Sequence, residues 1–460
     1  SRVEPLKDAF VQVNPFETKK EVFSNLAGAK AMHKVIEDGG LLCIFAAGEV
    51  STKYKNSKYV EDKAWAQNIM RFIKSTNVPV ISGFVDGQNS KCFHFLGKIN
   101  PILRTASLPR QLLNKKNLEV CLRFTPPLSP KNIEQIENNK LLADFLKSRT
   151  YLLKHEEVEK YNSDQKKYAE IIEAQDKDLL KAEIEKIKKT DLLFDSENYL
   201  VFFSEKKDIP VIFTELSRCR EIAFRAIGEG TGDATDEDKY DDYYNHLFIW
   251  DEVENALVGA YRIGIGKPIL EKFGKKGFYL NTLFKFQNGF EEYLEKSMEM
   301  GRSFIVPEYQ RRTLPLFLLW RGIYFVTQKY PEYKYLIGPA SISSIYSENA
   351  KILMIEFLKR YHGWQELGKF VEPRNKYEYK LNHHHEKVFE VYADDLALMD
   401  RLIRDIDINH YAMPVLIKKY LSLGGKILDF NVDPEFNFAI DGLVVLDIGV
   451  VSQEVINSYK

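Results

Sequence analysis

The chain has 460 residues, of which 45% are hydrophobic, and this is enough for two or three domains with buried cores. Its 65 Lys and Arg residues nearly balance 66 Asp and Glu residues, and the net charge of -1 argues against nucleic acid as a partner. No apolar run approaches the ~18 residues that a membrane-spanning helix needs, so any contact with a membrane is expected to be peripheral.

The cysteines indicate a reducing compartment. Cys43, Cys92, Cys121 and Cys219 are scattered and form no Cys-x-x-Cys pair. We therefore expect buried thiols and a cytoplasmic protein, without disulfides or a zinc site. The first residues contain no initiator methionine, so we expect the chain to be the later part of a longer protein.

The N-terminal part alternates between helical and strand patterns. Residues 21–38 carry apolar side chains at helical spacing, and residues 41–45 are apolar enough for a buried strand. A second helical pattern around residues 65–73 precedes a short apolar run at 78–82. This order predicts an α/β layer with parallel strands.

Two short blocks of this part resemble the glycerophosphate and lysophospholipid O-acyltransferase family. Residues 45–51 are similar to its phenylalanine-proline-glutamate-glycine block, and Val78-Pro79-Val80 is similar to its last block. The chain departs from the family at Ala46-Ala47, where the family has proline and glutamate. The resemblance implies that Glu49 and Ser51 contact a lipid substrate, although a small-residue turn after a strand also serves packing alone.

The catalytic His-x-x-x-x-Asp block of that family is expected before Ser1, so residues 1–130 would form the C-terminal part of such a domain. His33 and Asp38 match the block literally. On the predicted helix, however, they lie five residues apart, about 140° around the axis, and do not share a face. We interpret this match as a coincidence on a surface helix.

Residues 131–195 are rich in charges of both signs, with sparse apolar positions. The pattern predicts exposed helices with i,i+4 ion pairs that link two domains, or alternatively a coiled-coil partner site. We therefore predict a linker between the domain at 1–130 and a second domain at 196–460.

The second domain is predicted to contain a mixed sheet. Residues 199–203 read as a strand, 209–228 as a helix, and 247–263 as a hairpin with a polar turn. Residues 334–338 add a further strand, and 414–446 add a helix and two strands. The expected class is α/β overall, with an α+β second domain and a ligand crevice in the middle of its sheet.

Two stretches resemble metal sites superficially. Residues 228–242 are rich in glycine and acids but lack the alternating ligands of a calcium loop, so we predict an acidic, partly mobile substrate loop. His383, His384 and His385 are adjacent and cannot all face one ion, so we expect solvated side chains. No metal is predicted.

The stretch from Glu299 to Arg312 is the predicted centre of the chemistry. A carboxylate and a guanidinium at Glu299 and Arg302 precede a short β-favouring run, and a proline-led turn then reaches Arg311 and Arg312. Such a turn suits a phosphate-bearing ligand such as a pantetheine arm, and it is also typical of a solvated basic loop before a core helix.

The second domain resembles the acyl-homoserine-lactone-synthase and ornithine-lipid N-acyltransferase branch of the GNAT superfamily, a haemolysin-like family. The matching positions, in order, are Arg220 with Phe224, Asp238 with Asp241, Arg262, and Glu299 with Arg302. The resemblance implies an enzyme that moves a 3-hydroxylated fatty acyl group from acyl carrier protein to the amino group of an amino acid. The product would be a lyso-aminolipid.

Acyl transfer to an amine needs a base, an oxyanion site and a donor site. We predict Glu299 as the base, acting directly or through a water, and backbone N–H groups of residues 303–306 as the oxyanion site. The predicted donor-arm contacts are Arg302, Ser303, Gln310, Arg311 and Arg312. The predicted acceptor pocket is Arg220, Phe224, Asp238, Asp241 and Arg262, and such an Asp–Arg network can also be structural.

No bound cofactor is expected, and the donor is the phosphopantetheine arm of acyl carrier protein, or acyl-CoA. The expected partners are acyl carrier protein, the amino acid and the inner face of a membrane. Two alternatives remain: a lysolipid O-acyltransferase, and a non-catalytic haemolysin-like protein of the membrane surface.

Overall fold

The computed structural model describes residues 10–11, 21–53, 60–115, 118–154 and 168–460. The chain forms two compact units, one of Ser1–Lys154 with Leu381–Asp395, and one of His155–Lys380 with Leu396–Lys460. The division lies at residue 154, within the predicted linker, and a C-terminal segment joins the first unit. The predicted limits at 130 and 195 therefore do not coincide with the units.

The secondary structure elements are numbered in chain order. The helices are α1 Glu21–Glu37, α2 Gln67–Thr76, α3 Lys91–Ile99, α4 Pro101–Ala106, α5 Leu108–Leu113, α6 Pro130–Glu134, α7 Asn139–Tyr151, α8 Lys177–Ile187, α9 Pro210–Ala226, α10 Gly266–Phe273, α11 Leu280–Leu283, α12 Glu291–Glu295, α13 Leu314–Lys329, α14 Glu348–His362, α15 Gln365–Gly368, α16 His383–Tyr392, α17 Leu396–Ile406, α18 Val415–Ser422 and α19 Gln453–Tyr459. The strands are β1 Gly83–Asp86, β2 Cys121–Phe124, β3 Leu192–Ser196, β4 Tyr199–Glu205, β5 Asn245–Asp251, β6 Ala256–Ile265, β7 Phe284–Phe286, β8 Ser297–Ile305, β9 Tyr335–Ile342, β10 Val371–Pro373, β11 Lys426–Asp433 and β12 Ala439–Asp447. Short 3₁₀ turns connect several of them.

The first unit is mainly helical. Helix α7 buries Leu142, Phe145 and Leu146 and packs against α2 and α16. Its apolar positions are therefore core positions, and the prediction of an exposed linker over this helix was wrong. The reason is that the apolar residues of this helix are concentrated at residues 141–146, whereas the prediction rested on the low apolar content of residues 131–195 as a whole.

The parallel α/β layer predicted for this unit is not formed by the described residues. Leu41 is 90% exposed and Phe45 82% exposed, and residues 41–45 form no strand. Val80 makes only an isolated antiparallel bridge to Leu128, and the β1–β2 pair is antiparallel. An apolar run becomes a strand only where a partner strand supplies the hydrogen bonds, and residues 41–45 have none.

The helical predictions in this unit hold better. Helix α1 coincides with the predicted helix at 21–38, and α2 with the helical pattern around Ile69 and Phe72.

The cysteines are less buried than predicted. Cys43, Cys92 and Cys121 are exposed, so only Cys219 fulfils the expectation of a buried thiol.

The second unit is organised around an eight-stranded sheet with the order β11-β12-β9-β8-β6-β5-β4-β3. Neighbouring strands are antiparallel except β8 and β9, which are parallel. The predicted mixed sheet is therefore confirmed, and so is the predicted hairpin, formed by β5 and β6.

Helices cover the sheet because their apolar stripes face it. Helix α13 packs on β4, β5 and β6. Pro315 lies in its first turn, where a backbone N–H would have no hydrogen-bond partner within the helix, so proline is tolerated there. Helix α9 packs against β6 and β8. Helix α8, also within the predicted linker, buries Leu180, Ile184 and Ile187. Among the described residues, no helix is long and apolar enough to cross a membrane.

The parallel strands β8 and β9 separate partway along their length. Their pairing ends at Glu299 and Ile337, whereas β8 continues to Ile305 and β9 to Ile342. Just beyond this point Gly338 lies so near Met300 that a Cβ atom would stand 2.2 Å from the Met300 carbonyl oxygen. The two strands thus open from a tight contact into a cleft.

On its other edge β8 carries a β-bulge. The register against β6 shifts so that Arg302 and Ser303 both lie opposite Tyr261. Arg302 has a φ of 52°, a left-handed conformation that non-glycine residues seldom adopt. Strained backbone of this kind persists where surrounding contacts hold it, and it is common at functional sites.

Candidate active site

A cavity of about 80 Å³ lies where β8 and β9 separate. The bulge contributes Gly301, Arg302 and Ser303 to its wall, and β9 contributes Pro339 and Ser341. Its aromatic wall consists of Phe224, Tyr261, Tyr279, Tyr420 and Phe436. Its carboxylates are Glu229, Asp433 and Asp441. The predicted crevice in the middle of the sheet is therefore present.

Three arginines and three aspartates beside the cavity form a closed ring of alternating charge. Asp241 pairs with Arg220 at 2.9 Å and with Arg262 at 3.1 Å. Asp238 pairs with Arg262 at 2.6 Å and with Arg302 at 3.2 Å. Asp236 closes the ring with contacts to Arg220 at 3.1 Å and to Arg302 at 3.0 Å.

The ring is largely buried, and its electrostatics follow from this. Arg220 and Asp241 are fully buried, and Arg262 is 1% exposed. Burial alone would raise the pKa of Asp241, but the guanidinium groups of Arg220 and Arg262 hold it well below its ordinary value. The pKa of Arg262 is raised, because Asp241 and Asp238 outweigh the effect of burial. Asp241 and Arg262 therefore stay ionised within the protein.

The structure brings together five of the residues predicted from the sequence, namely Arg220, Asp238, Asp241, Arg262 and Arg302. Of these, Arg302 lines the cavity together with the predicted Phe224, whereas Arg220 and Arg262 lie behind its wall. The sequence analysis missed Asp236, although it lies in the acidic stretch that was singled out. That stretch was predicted to be a mobile loop, but its buried acids are bound to arginines.

Arg302 is the ring member that reaches the cavity. Its guanidinium lies between two aromatic rings, 4.6 Å from the centroid of Tyr279 and 4.6 Å from that of Phe436. Ion pairs on one side and rings on two others leave this cation little freedom. The bulge and the charge ring together therefore hold one positive charge at a fixed place in the cavity wall.

Glu299 lies behind this wall. It is 1% exposed and does not line the cavity. Its carboxylate accepts a short hydrogen bond from the Tyr244 hydroxyl and further ones from the backbone N–H groups of Leu280 at 2.6 Å and Tyr279 at 3.2 Å. Burial raises the pKa of Glu299 to about 7 against the lowering effect of these hydrogen bonds.

These contacts give Glu299 a structural role, since it anchors the backbone at Tyr279, whose ring forms part of the cavity. Its predicted role as the base for the acceptor nitrogen stays a prediction. Its carboxylate contacts the Tyr244 hydroxyl and the Tyr279 backbone, and Tyr279 in turn lines the cavity.

The carboxylates of the cavity were missed by the sequence analysis. Glu229 accepts a hydrogen bond of 2.8 Å from the Ser341 hydroxyl, and burial raises its pKa to about 7. The pKa of Asp441 is raised well above its ordinary value by burial and then by Asp433 and Glu229. One signal was available for Asp441, a lone acid within the apolar run of β12.

The basic turn after β8 does not line the cavity. Gln310 donates to the Ile305 carbonyl at 2.9 Å, and Arg312 donates to the Tyr199 hydroxyl at 3.2 Å. Arg311 is exposed. The predicted contacts of Gln310, Arg311 and Arg312 with a donor arm stay predictions, and Ser303 of the same predicted set does line the cavity.

Glu49 and Ser51 belong to the first unit. Glu49 pairs with Arg104 at 2.8 Å and Lys63 at 3.6 Å. The Ser51 hydroxyl donates to Asp62 at 2.5 Å. Both side chains are thus engaged in local contacts, and their predicted contact with a lipid stays a prediction.

The three adjacent histidines begin helix α16, and the expectation that they are solvated was wrong for two of them. His384 is 8% exposed and His385 is 1% exposed. Ligand atoms of His383, His384 and Glu61 lie within 4.8 Å of one another. Lys147 Nζ lies 3.5 Å from Glu61 Oε2, so the carboxylate is already next to a cation.

The arrangement in the second unit fits acyl transfer. The cavity combines a fixed cation, carboxylates with raised pKa values and the irregular backbone of the bulge. A carboxylate whose pKa lies near neutrality can take a proton from an attacking nucleophile. Backbone N–H groups of a bulged strand are available to a developing oxyanion.

Comparisons with known proteins agree with this chemistry. Residues 219–320 match the family described as Acetyltransferase (GNAT) domain. The chain is 29% identical over 283 residues to a glycine N(alpha)-acyltransferase of Phocaeicola vulgatus, covering 58% of this chain and 85% of the relative. It is 30% identical over 250 residues to an L-ornithine N(alpha)-acyltransferase of Agrobacterium fabrum, covering 52% of this chain and 76% of the relative. No solved structure gives a significant match.

The protein is therefore an acyltransferase with a GNAT domain. It belongs to the family of N-acyltransferases that includes these two relatives. The resemblance inferred from the order of Arg220, Asp238, Asp241, Arg262 and Arg302 agrees with this assignment at the level of the N-acyltransferase domain.

Asp241→Asn is expected to destabilise the protein by about 3–5 kcal/mol, because it leaves Arg220 and Arg262 buried without their shared counter-charge. The control is Asp242→Asn at the next position, where a 65% exposed side chain pairs with Lys206. We expect the control to change stability by less than about 1 kcal/mol in urea denaturation. Equal effects of the two substitutions would contradict the structural role of the ring.

Glu229→Gln is expected to change how stability depends on pH. Below its ordinary pKa of 4.5, Glu229 holds its proton in both the folded and unfolded chain; between 4.5 and about 7 only the folded chain holds it. Wild-type stability should therefore fall relative to the variant as pH rises through this range, by about 3 kcal/mol at ~1.4 kcal/mol per pH unit. Urea denaturation of both proteins at pH 5 and 7.5 measures it, and a pH-independent difference would refute the expectation.

Proposed function

We propose that this enzyme transfers a long, 3-hydroxylated fatty acyl group from the thioester of acyl carrier protein to the α-amino group of an amino acid. The product is a lyso-aminolipid. The observation that carries the proposal is the cavity between β8 and β9, which is lined by Arg302 and by the carboxylates Glu229, Asp433 and Asp441.

An amino acid complements this cavity because it carries both charges. Its carboxylate pairs with the guanidinium of Arg302, which the charge ring holds in place. Its amino group faces Glu229, Asp433 and Asp441. The relatives named for glycine and for ornithine support an acceptor of this class.

The thioester donor approaches along the cleft between β8 and β9. The amine attacks the thioester directly, without a covalent acyl-enzyme intermediate. Backbone N–H groups at the bulge formed by Arg302 and Ser303 donate hydrogen bonds to the oxyanion. Arg311 and the start of α13 offer a positive surface to the phosphate of the pantetheine arm or to the acidic surface of acyl carrier protein. The lipid product places the enzyme at a membrane surface.

The full chain is tested with acyl carrier protein charged with a 3-hydroxy fatty acid, and amide products are measured by lipid mass spectrometry. Glycine and ornithine are expected to be acylated far better than aspartate, whose second carboxylate would meet Asp433 and Asp441. Arg302→Gln is expected to lose at least about 10²-fold in kcat/KM because the acceptor is no longer oriented. If no amine is acylated, the proposed function is wrong.

The donor site is tested by Arg311→Glu. We expect an increase of about 10-fold in KM for the charged carrier protein at low salt, disappearing at high salt, because the exposed charge acts on encounter. The matched control is Lys369→Glu, an exposed basic residue in another segment. An equal change in both variants would show only the effect of net charge and would remove Arg311 from the donor site.

A further inference from the structure

We propose that Asp441 receives the amino group of the acceptor and takes the proton that it loses during transfer, with Glu229 and Asp433 completing a carboxylate subsite for the amine. This inference rests on the proposed transfer to an amine, and it assigns the proton-accepting step to a residue on β12.

Asp441 is a side chain that the fold itself leaves unsatisfied. It is 7% exposed and lines the cavity. Its backbone pairs with Ser341 on β9 and Asn431 on β11, which fixes its position within the sheet. Within residues 168–460, its carboxylate has neither a hydrogen bond nor an ion pair. The aspartates of the charge ring, by contrast, each contact two arginines.

A buried acid without a partner is unfavourable in its charged form. The charged and titratable groups that act on Asp441 are Asp433 at the end of β11, Glu229 after α9, and Arg302 on β8. The two carboxylates oppose its ionisation and the guanidinium favours it. A bound ammonium group would relieve the repulsion among the three acids, so the cavity favours a ligand that brings a positive charge.

A metal ion is a poorer occupant than an amine. In the described parts of the chain, the one group of acids and histidines whose ligand atoms lie within 4.8 Å of one another is Glu61 with His383 and His384. The three cavity carboxylates are therefore too far apart to hold one ion together. An ammonium group that donates to Asp441 alone needs no such convergence, because the charges of Glu229 and Asp433 act on it over longer distances.

Arg302 adds a second point of recognition. It carries the positive charge of the same cavity, so a zwitterion has its carboxylate directed to Arg302 and its nitrogen to the acidic wall. Held in this way, the nitrogen presents its lone pair once one proton has passed to the Asp441 carboxylate and on to water.

The step itself balances as follows. The neutral nitrogen attacks the thioester carbonyl carbon, so that a C–N bond forms and the carbonyl electrons move to oxygen. The tetrahedral intermediate then collapses, the C–S bond breaks, and the thiolate leaves with the electron pair. The proton lost by nitrogen passes to the Asp441 carboxylate, which returns it to the thiolate sulfur. The products are an amide and a free thiol.

Glu299 then acts as a positioning residue. It holds the backbone of Tyr279 and accepts from Tyr244, and its carboxylate lies outside the cavity. The pKa values of Glu299 and Asp441 are both raised, but of the two only Asp441 is accessible to a substrate in the cavity.

The test compares Asp441→Asn with Asp429→Asn, whose carboxylate on the neighbouring strand β11 pairs with Lys359 at 3.1 Å and does not line the cavity. Each protein is assayed with the amino acid that the wild type prefers and with aminooxyacetate. The nitrogen of aminooxyacetate is already neutral at assay pH and, once bonded to the carbonyl carbon, is acidic enough to lose its proton to water without a base. We expect Asp441→Asn to lose about 10²–10⁴-fold in kcat with the amino acid and less than about 10-fold with aminooxyacetate. Asp429→Asn should retain wild-type rates with both acceptors.

Equal losses with the two acceptors, or no loss relative to Asp429→Asn, would overturn the assignment. Because Asp441 has no partner to lose, Asp441→Asn should melt at or above the wild-type temperature, and a variant that fails to fold would also overturn it. A wild type that acylates no amine would instead refute the proposed function. The acceptor amino acid should raise the melting temperature of the wild type but not of Asp441→Asn.

Discussion

The closed ring of three arginines and three aspartates is the interaction on which the second unit depends. A buried ion pair is marginal when two charges meet alone, because desolvation offsets attraction. In this ring every charge contacts two of opposite sign, from Arg220 on α9 to Arg262 on β6 and Arg302 on β8. The ring therefore ties a helix, two strands and the acidic segment between α9 and β5 into one assembly.

The same ring makes the cavity chemically asymmetric. In the ring, Asp236, Asp238 and Asp241 are all paired with arginines. Arg302 is the ring arginine whose guanidinium lies at the cavity wall. The carboxylates that line the cavity come from outside the ring, and burial raises the pKa values of Glu229 and Asp441. The cavity thus combines carboxylates whose pKa values burial raises with one guanidinium that the ring holds in place.

Several elements of the second unit could be predicted from the order and spacing of apolar residues, because helices and hairpins depend on a local pattern in the sequence. The helix that carries Arg220 and the hairpin that carries Arg262 lie where periodicity indicated. Strand β8 is longer than the predicted run at 303–306, since it begins at Ser297 and includes Glu299. The structure of the first unit was harder to predict from the sequence. Its apolar run at 41–45 looked like a strand, but a strand exists only with a partner, and none of the described residues pairs with it. Helix α7 was predicted to be exposed because its apolar cluster at residues 141–146 lies within a longer stretch that is rich in charges.

The sequence alone determined the class of the second unit and most of the charged residues of its ring, because their identities and order are local properties of the chain. Tertiary structure decided which of them line the cavity. It placed Glu299 behind Tyr279, and it brought Asp441 beside Arg302 from a strand far along the chain. Pairing of β12 with β9 creates that neighbourhood, and such long-range pairing leaves no periodic signal in the sequence around either residue.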